Sequence, residues 1–192
     1  ILTGKPGTSK STVACHVALD LLIKGQVDKI IITRPTVAAS KDIGFLPGDA
    51  FDFKEGKLAP YIAPVLQAMI KLRGKADIEE QIKKGKIEVL PIQFVRGLNF
   101  ENCVVIVDES QNATVEEIKA LTTRICSNSK MIFTSDLNQI DLANKKTSAG
   151  YFFNCIKHLP GVSIVELTEN FRHPLAIEIY ETIDKLLEEQ RQ

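Results

Sequence analysis

Gly4-Lys5-Pro6-Gly7-Thr8-Ser9-Lys10-Ser11 sets a glycine-bearing loop directly before a lysine and a hydroxyl residue. That order suits phosphate chemistry. In the pattern G-x-x-x-x-G-K-[ST], backbone N–H groups cradle phosphates, the lysine reaches the β and γ oxygens, and the hydroxyl ligates Mg²⁺. Lys10 and Ser11 keep the expected spacing from Gly4, with Ser9 in place of the second glycine. The binding segment is read as Gly4, Lys5, Pro6, Gly7, Thr8, Ser9, Lys10, Ser11 and Thr12. A side chain at position 9 restricts the backbone and the approach of a phosphate. The plain alternative is a surface loop that happens to hold Gly, Pro and Lys.

Two carboxylates end the run Val104-Val105-Ile106-Val107-Asp108-Glu109. Asp108 suits Mg²⁺, which favours a few carboxylates plus nucleotide phosphates, and Glu109 suits orienting or deprotonating an attacking water. Alone, such a pair is equally read as two solvated acids at a strand end. A third run, Met131-Ile132-Phe133-Thr134-Ser135-Asp136-Leu137-Asn138-Gln139, also ends in polar residues. Gln139 suits sensing a γ-phosphate, whereas Asp136 and Asn138 are ordinary turn formers. Phosphoryl transfer gains from a cation at the moving phosphate, and the candidates are Arg34, Arg96, Arg124 and Arg172. Arg172 precedes the closing helix, where an ordinary salt bridge is the alternative. The helix dipole accounts for Arg124. His16 and His158 are read as surface residues and His173 as a structural residue at a helix start.

These residues need elements to position them. The loop opens an amphipathic helix with Val13, Ala14, Val17, Ala18, Leu21 and Leu22 on its apolar stripe, stopped at Gly25. Strands are expected at Lys29–Thr33, Ile87–Leu90, Val104–Val107, Met131–Thr134 and Val162–Leu167, with a strand end before Gly4. Helices are expected at Leu58–Leu72 with a kink at Pro64, near Asp77–Lys84, at Thr114–Ile125 with Val115, Ile118, Leu121 and Ile125 inward, at Gly150–Leu159, and from Pro174 to about Glu189. Residues 34–56 read as a long loop. Short buried strands alternating with helices imply βαβ crossovers and a largely parallel sheet, a three-layer α/β sandwich. Ligands in such sheets sit at the carboxyl ends of the strands, where each polar cluster falls.

Together the residues resemble the PhoH family, the phosphate-starvation-inducible ATPases related to the RecA-like domain of superfamily-1 helicases. The matching stretches are Gly4–Ser11, Ile32-Thr33-Arg34-Pro35, Gly44-Phe45-Leu46-Pro47-Gly48, Asp108-Glu109-Ser110-Gln111-Asn112, Gln139-Ile140-Asp141-Leu142 and Arg172-His173-Pro174-Leu175. They span nearly the whole chain in the expected order, with Ser9, Ser110 and Ser135 as departures. The resemblance implies a RecA-like P-loop NTPase fold, with ATP and Mg²⁺ as ligands. Lys10 and Ser11 would bind phosphate and metal, Asp108 the metal, Glu109 the water, and Gln139 the γ-phosphate. Arg34 sits where related helicases touch single-stranded nucleic acid. One such lobe does mechanical work only with a second, so a homo-oligomeric ring, such as a hexamer, is the expectation.

With 24 basic and 24 acidic residues, the net charge of zero argues against generic polyanion binding, so any RNA or single-stranded DNA contact must be local. The apolar runs are too short for a bilayer of roughly 30 Å. No basic-then-apolar leader precedes the glycine loop. The chain begins Ile1-Leu2-Thr3, and the expectation is that it lacks its natural N-terminus. Cys15, Cys103, Cys126 and Cys155 are scattered and read as small hydrophobes in a reducing cytoplasm. The reading is one cytoplasmic, Mg²⁺-dependent ATPase domain over 1–192, with coupling to RNA or single-stranded DNA as its extension. The rivals are an ATP-binding switch with negligible turnover and, last, a small-molecule kinase.

Overall fold

Continuous apolar runs such as Ile30-Ile31-Ile32 have no polar side to turn to water, so both faces must be covered. The computed structural model, which describes residues 1–35, 59–95, 97–136 and 149–189, shows how. β1 (Leu2–Thr3), β2 (Lys29–Thr33), β3 (Ile87–Val89), β4 (Cys103–Val107), β5 (Lys130–Ser135) and β6 (Val165–Glu166) form one sheet. Its order is β3-β2-β4-β5-β1-β6, parallel at every pairing. Pleating divides the runs between two cores. Ile30, Ile32, Val104 and Ile106 enter one, while Ile31, Cys103, Val105 and Val107 enter the other.

α1 (Lys10–Ile23), α2 (Ala59–Arg73) and α3 (Lys75–Lys83) cover the first face; α4 (Val115–Thr122) and α5 (Ala149–Ile156) cover the second. This is the α/β sandwich expected, consistent with a RecA-like P-loop domain. α4 starts on a capping box, in which Thr114 and Glu117 satisfy each other's backbone N–H. α6 (Pro174–Glu189) follows His173, whose Nδ1 accepts the Leu175 N–H at 3.3 Å. Its Leu175, Ile179, Ile183 and Leu186 form a stripe in which each residue is more than half exposed. Among the described residues no helix is long and apolar enough to cross a membrane.

The structure shifts several expected boundaries. On α1 the buried residues are Ala14, Cys15, Ala18, Leu19 and Leu22, while Val17 is 42% exposed. α1 packs on α2 as well as the sheet, so its inward arc turns toward Cys15 and Leu19; the Cys15 thiol points at the Val65 carbonyl, 3.6 Å away. α4 ends at Thr122, where the Thr122 and Thr123 hydroxyls bond back to carbonyls of the last turn. Ile125 thus leaves the helix and bridges Phe100 instead of facing inward. α5 stops at Ile156. β6 is shorter than its apolar run, pairing through Val165 and Glu166 with Leu2 and Thr3 of β1.

Burial, with the Asp108 charge adding to it, pushes the Cys15 thiol up to about 12. Burial raises Cys103 as well. A thiol reagent near neutral pH is therefore expected to label exposed Cys155, then Cys126, and to reach Cys15 and Cys103 only on denaturation. Rapid native labelling of Cys15, followed by mass spectrometry, would contradict the α1–α2 seam.

Candidate functional site

The loop between β1 and α1 is held in shape by the far end of the chain. Asn170 donates to the Pro6 carbonyl at 3.0 Å, and the Phe171 N–H to the Gly7 carbonyl at 3.1 Å. This closeness demands glycine. Gly7 has φ +87°, and a Cβ there would run into Asn170 Oδ1 and Arg172 Cγ; at Gly4 it would strike the Leu167 carbonyl. Ser9 caps α1 with φ 63°, ψ 24°, the left-handed conformation that the motif's glycine normally adopts freely. The serine therefore adds a backbone cost at this position. N–H groups of the first turn of α1 have no acceptor within the helix, as at any helix start.

Lys10 folds back over the loop, donating to the Gly4 carbonyl at 2.7 Å and the Lys5 carbonyl at 3.0 Å. Burial draws its pKa below the ordinary 10.5, and the nearby Arg172 adds to this, against the carboxylates of Asp136, Glu109 and Asp108. Ser11 Oγ donates to Asp108 Oδ1 at 2.7 Å, tying the head of α1 to the end of β4. These elements are not neighbours in the sheet, because β5 lies between β4 and β1. Thr134 at the end of β5 spans the gap. Its hydroxyl donates to the same Asp108 oxygen at 2.7 Å and accepts the Glu109 N–H at 3.2 Å.

Only 2% of the Asp108 side chain meets solvent, against 35% for Glu109. Glu109 adopts φ 51°, ψ 41°, which turns the chain into the short 3₁₀ turn Ser110–Asn112. The Gln111 amide nitrogen donates to Glu109 Oε2 at 2.6 Å, and its oxygen accepts the Asp136 N–H at 3.0 Å. Arg34 places Nη1 3.8 Å from Asp108 Oδ2 and Nη2 3.8 Å from Glu109 Oε1.

The structure thus gathers Gly4, Lys5, Pro6, Gly7, Thr8, Ser9, Lys10, Ser11, Thr12, Arg34, Asp108 and Glu109 beyond the carboxyl ends of the strands β1, β2 and β4, with Arg172 beside Gly7. Arg124 is at the opposite end, where its carbonyl accepts the Phe100 N–H below the start of β4. Gln139, Arg96 and the Gly44–Gly48 stretch lie outside the described residues. Thr134, Gln111 and Asn170 are site residues that sequence reasoning missed. A hydroxyl at the end of a strand was the only signal for the first, and the other two carried none beyond their place in a motif.

Holding Ser9 left-handed costs a non-glycine residue about 1 kcal/mol. Ser9→Gly is expected to stabilise the chain by that amount, raising the melting temperature by roughly 2–4 °C. A thermal melt showing no rise would mean that Ser9 is not strained.

Comparison with known proteins bears on the same residues. A family model described as PhoH-like protein matches residues 1–184. The chain is 39% identical over 185 residues to a PhoH-like protein of Bacillus subtilis, covering 95% of this chain and 57% of that protein. It is 36% identical over 185 residues to a PhoH-like protein of Synechocystis, covering 95% and 55%. Against Protein PhoH of Escherichia coli it is 39% identical over 142 residues, covering 73% and 39%. The chain spans about half the length of the curated relatives it matches. With the phosphate loop, the acid pair and the parallel sheet in place, the chain belongs to the PhoH-like family.

Proposed function

We propose that this chain binds ATP with Mg²⁺ and hydrolyses it to ADP and phosphate. The observation that supports this reading is the 2.7 Å bond from Ser11 Oγ to Asp108 Oδ1, which brings the proposed phosphate loop and the proposed metal carboxylate into contact. The donor set suits Mg²⁺: a hydroxyl and a carboxylate are already in contact, both hard oxygen ligands. When bound, Mg²⁺ supplies neutralising charge to the phosphates.

In this mechanism the N–H groups at the start of α1 take the phosphate oxygens. Lys10 leaves the Gly4 and Lys5 carbonyls for the β and γ oxygens. Glu109 accepts a proton from water as the water oxygen bonds to the γ-phosphorus and the bond to the bridging oxygen of ADP breaks. Arg172, beside Gly7, neutralises charge at the moving phosphate, and Gln139 reads the γ-phosphate. The second reading, an ATP-bound switch with negligible turnover, is favoured by one observation: both Glu109 oxygens already face donors, from Arg34 and Gln111.

The proposal extends to RNA or single-stranded DNA as a partner, to a cytoplasmic location, and to a homo-oligomeric ring. The exposed stripe of α6 supports the last, since a neighbouring copy would cover it.

Phosphate release from ATP and Mg²⁺ tests the reading. Glu109→Gln is expected to lower turnover by about 10²–10⁴-fold while still binding ATP, and Lys10→Ala to lose ATP binding. Tight binding without turnover in the unaltered protein, with and without single-stranded RNA, would leave the switch. Only protonated Lys10 attracts phosphate, so affinity should be full at low pH and fall as pH rises through its lowered pKa. The fall should begin at lower pH than for an ordinary lysine. An ATP-analogue titration across alkaline pH measures it, and an affinity that stays level into the range of an ordinary lysine would overturn it.

A further inference from the structure

One cation meets both acids at the end of β4, and the proposed hydrolysis does not use it. Arg34 directly follows β2, and the 2.9 Å bond from the Asp108 N–H to the Thr33 carbonyl fixes its backbone beside β4. Pro35 next to it favours an extended backbone at Arg34, which aims the side chain from a constrained base. The guanidinium then stands 3.8 Å from Asp108 Oδ2 and 3.8 Å from Glu109 Oε1. The remaining oxygens are also met: Asp108 Oδ1 by the Ser11 and Thr134 hydroxyls, Glu109 Oε2 by the Gln111 amide.

Two adjacent carboxylates, one of them buried, need a counter-charge, and Arg34 supplies it from the position that a divalent cation's charge would serve. Two cations at one acid pair repel each other, most strongly where solvent is excluded. We infer that Arg34 competes with Mg²⁺ for the Asp108–Glu109 pair, as a positioning residue that keeps Glu109 turned toward it until metal and nucleotide displace it. The inference rests on the reading of Asp108 as the Mg²⁺ carboxylate. Gln111 carries the consequence across the sheet, since the same side chain holds Glu109 and the Asp136 N–H beyond the end of β5.

Mn²⁺ takes the same oxygen ligands and reports binding without turnover. Free Mn²⁺ is followed by electron paramagnetic resonance as it is titrated into the protein with ADP, for wild type, Arg34→Met and Arg34→Lys. Removing the charge should tighten Mn²⁺ binding by at least about fivefold. Arg34→Lys, which keeps the charge, should stay near wild type. The Mg²⁺ concentration for half-maximal phosphate release should fall in Arg34→Met by a similar factor. Should Arg34→Met not fold, Arg34→Gln makes the same comparison. Mn²⁺ binding indifferent to the charge at position 34 overturns this inference alone. No Mn²⁺ uptake by any of the proteins overturns it together with the Mg²⁺-nucleotide reading. Failure of both neutral variants to fold makes Arg34 a fixed structural counter-ion and overturns it as well.

Discussion

Asp108 is a carboxylate with almost no access to water, and the functional edge of this molecule is arranged around making that tolerable. An isolated charge so placed is strongly unfavourable unless hydrogen bonds and a counter-charge replace its hydration. Three elements and one loop residue contribute. The head of α1 brings Ser11, the end of β5 brings Thr134, β2 brings the Thr33 carbonyl for the Asp108 N–H, and Arg34 brings the charge. The order β2-β4-β5-β1 is what allows these groups to converge, since Asp108 ends the strand flanked by β2 and β5. Phosphate loop and acid pair are therefore coupled through one buried oxygen, Asp108 Oδ1, which takes both hydroxyls.

What could be read without coordinates follows the kind of signal each feature leaves. The loop from Gly4 to Ser11 and the acids after Val107 are contiguous in sequence, so spacing alone exposes them. Buried strands such as Lys29–Thr33 announce themselves because a parallel sheet covered on both faces needs uninterrupted apolar runs. Partnerships across the sheet leave no such trace. Arg34, Thr134 and Gln111 become neighbours of the acids only through strand order, which hydropathy does not encode. Helix phase was misplaced at Val17 for a related reason: packing against α2 as well as the sheet turns the buried arc toward Cys15 and Leu19 and leaves Val17 outside it. Ile125 was lost to α4 because threonine hydroxyls compete for the helix's last carbonyls, an effect of two residues rather than of periodicity.

Backbone strain is also unevenly placed. Among the described residues, the non-glycine positions with positive φ are Ser9, Asn102, Glu109 and Asn128. Asparagine tolerates that region, and the two asparagines flank the entries to β4 and β5, where their side chains bond each other at 3.2 Å. Ser9 and Glu109 have no such ease, and both sit at the site. Strain concentrated at the phosphate loop and the second acid fits a part of the molecule selected for geometry over stability.

Asn170 and Phe171 hold the loop that contains Pro6 and Gly7, and β1 lies between β5 and β6. The loop is thus given its shape by residues 164 positions further along the chain. During synthesis the loop is made before the strands that pair with β1 and before the Asn170 that braces it. Such long-range closure makes folding slow relative to a fold of local contacts. It also means that a nascent or 3′-truncated product would display the loop sequence without a formed cradle. The shape of the Gly4–Ser11 loop is therefore a property of the folded chain as far as Phe171, and not of the loop's own sequence.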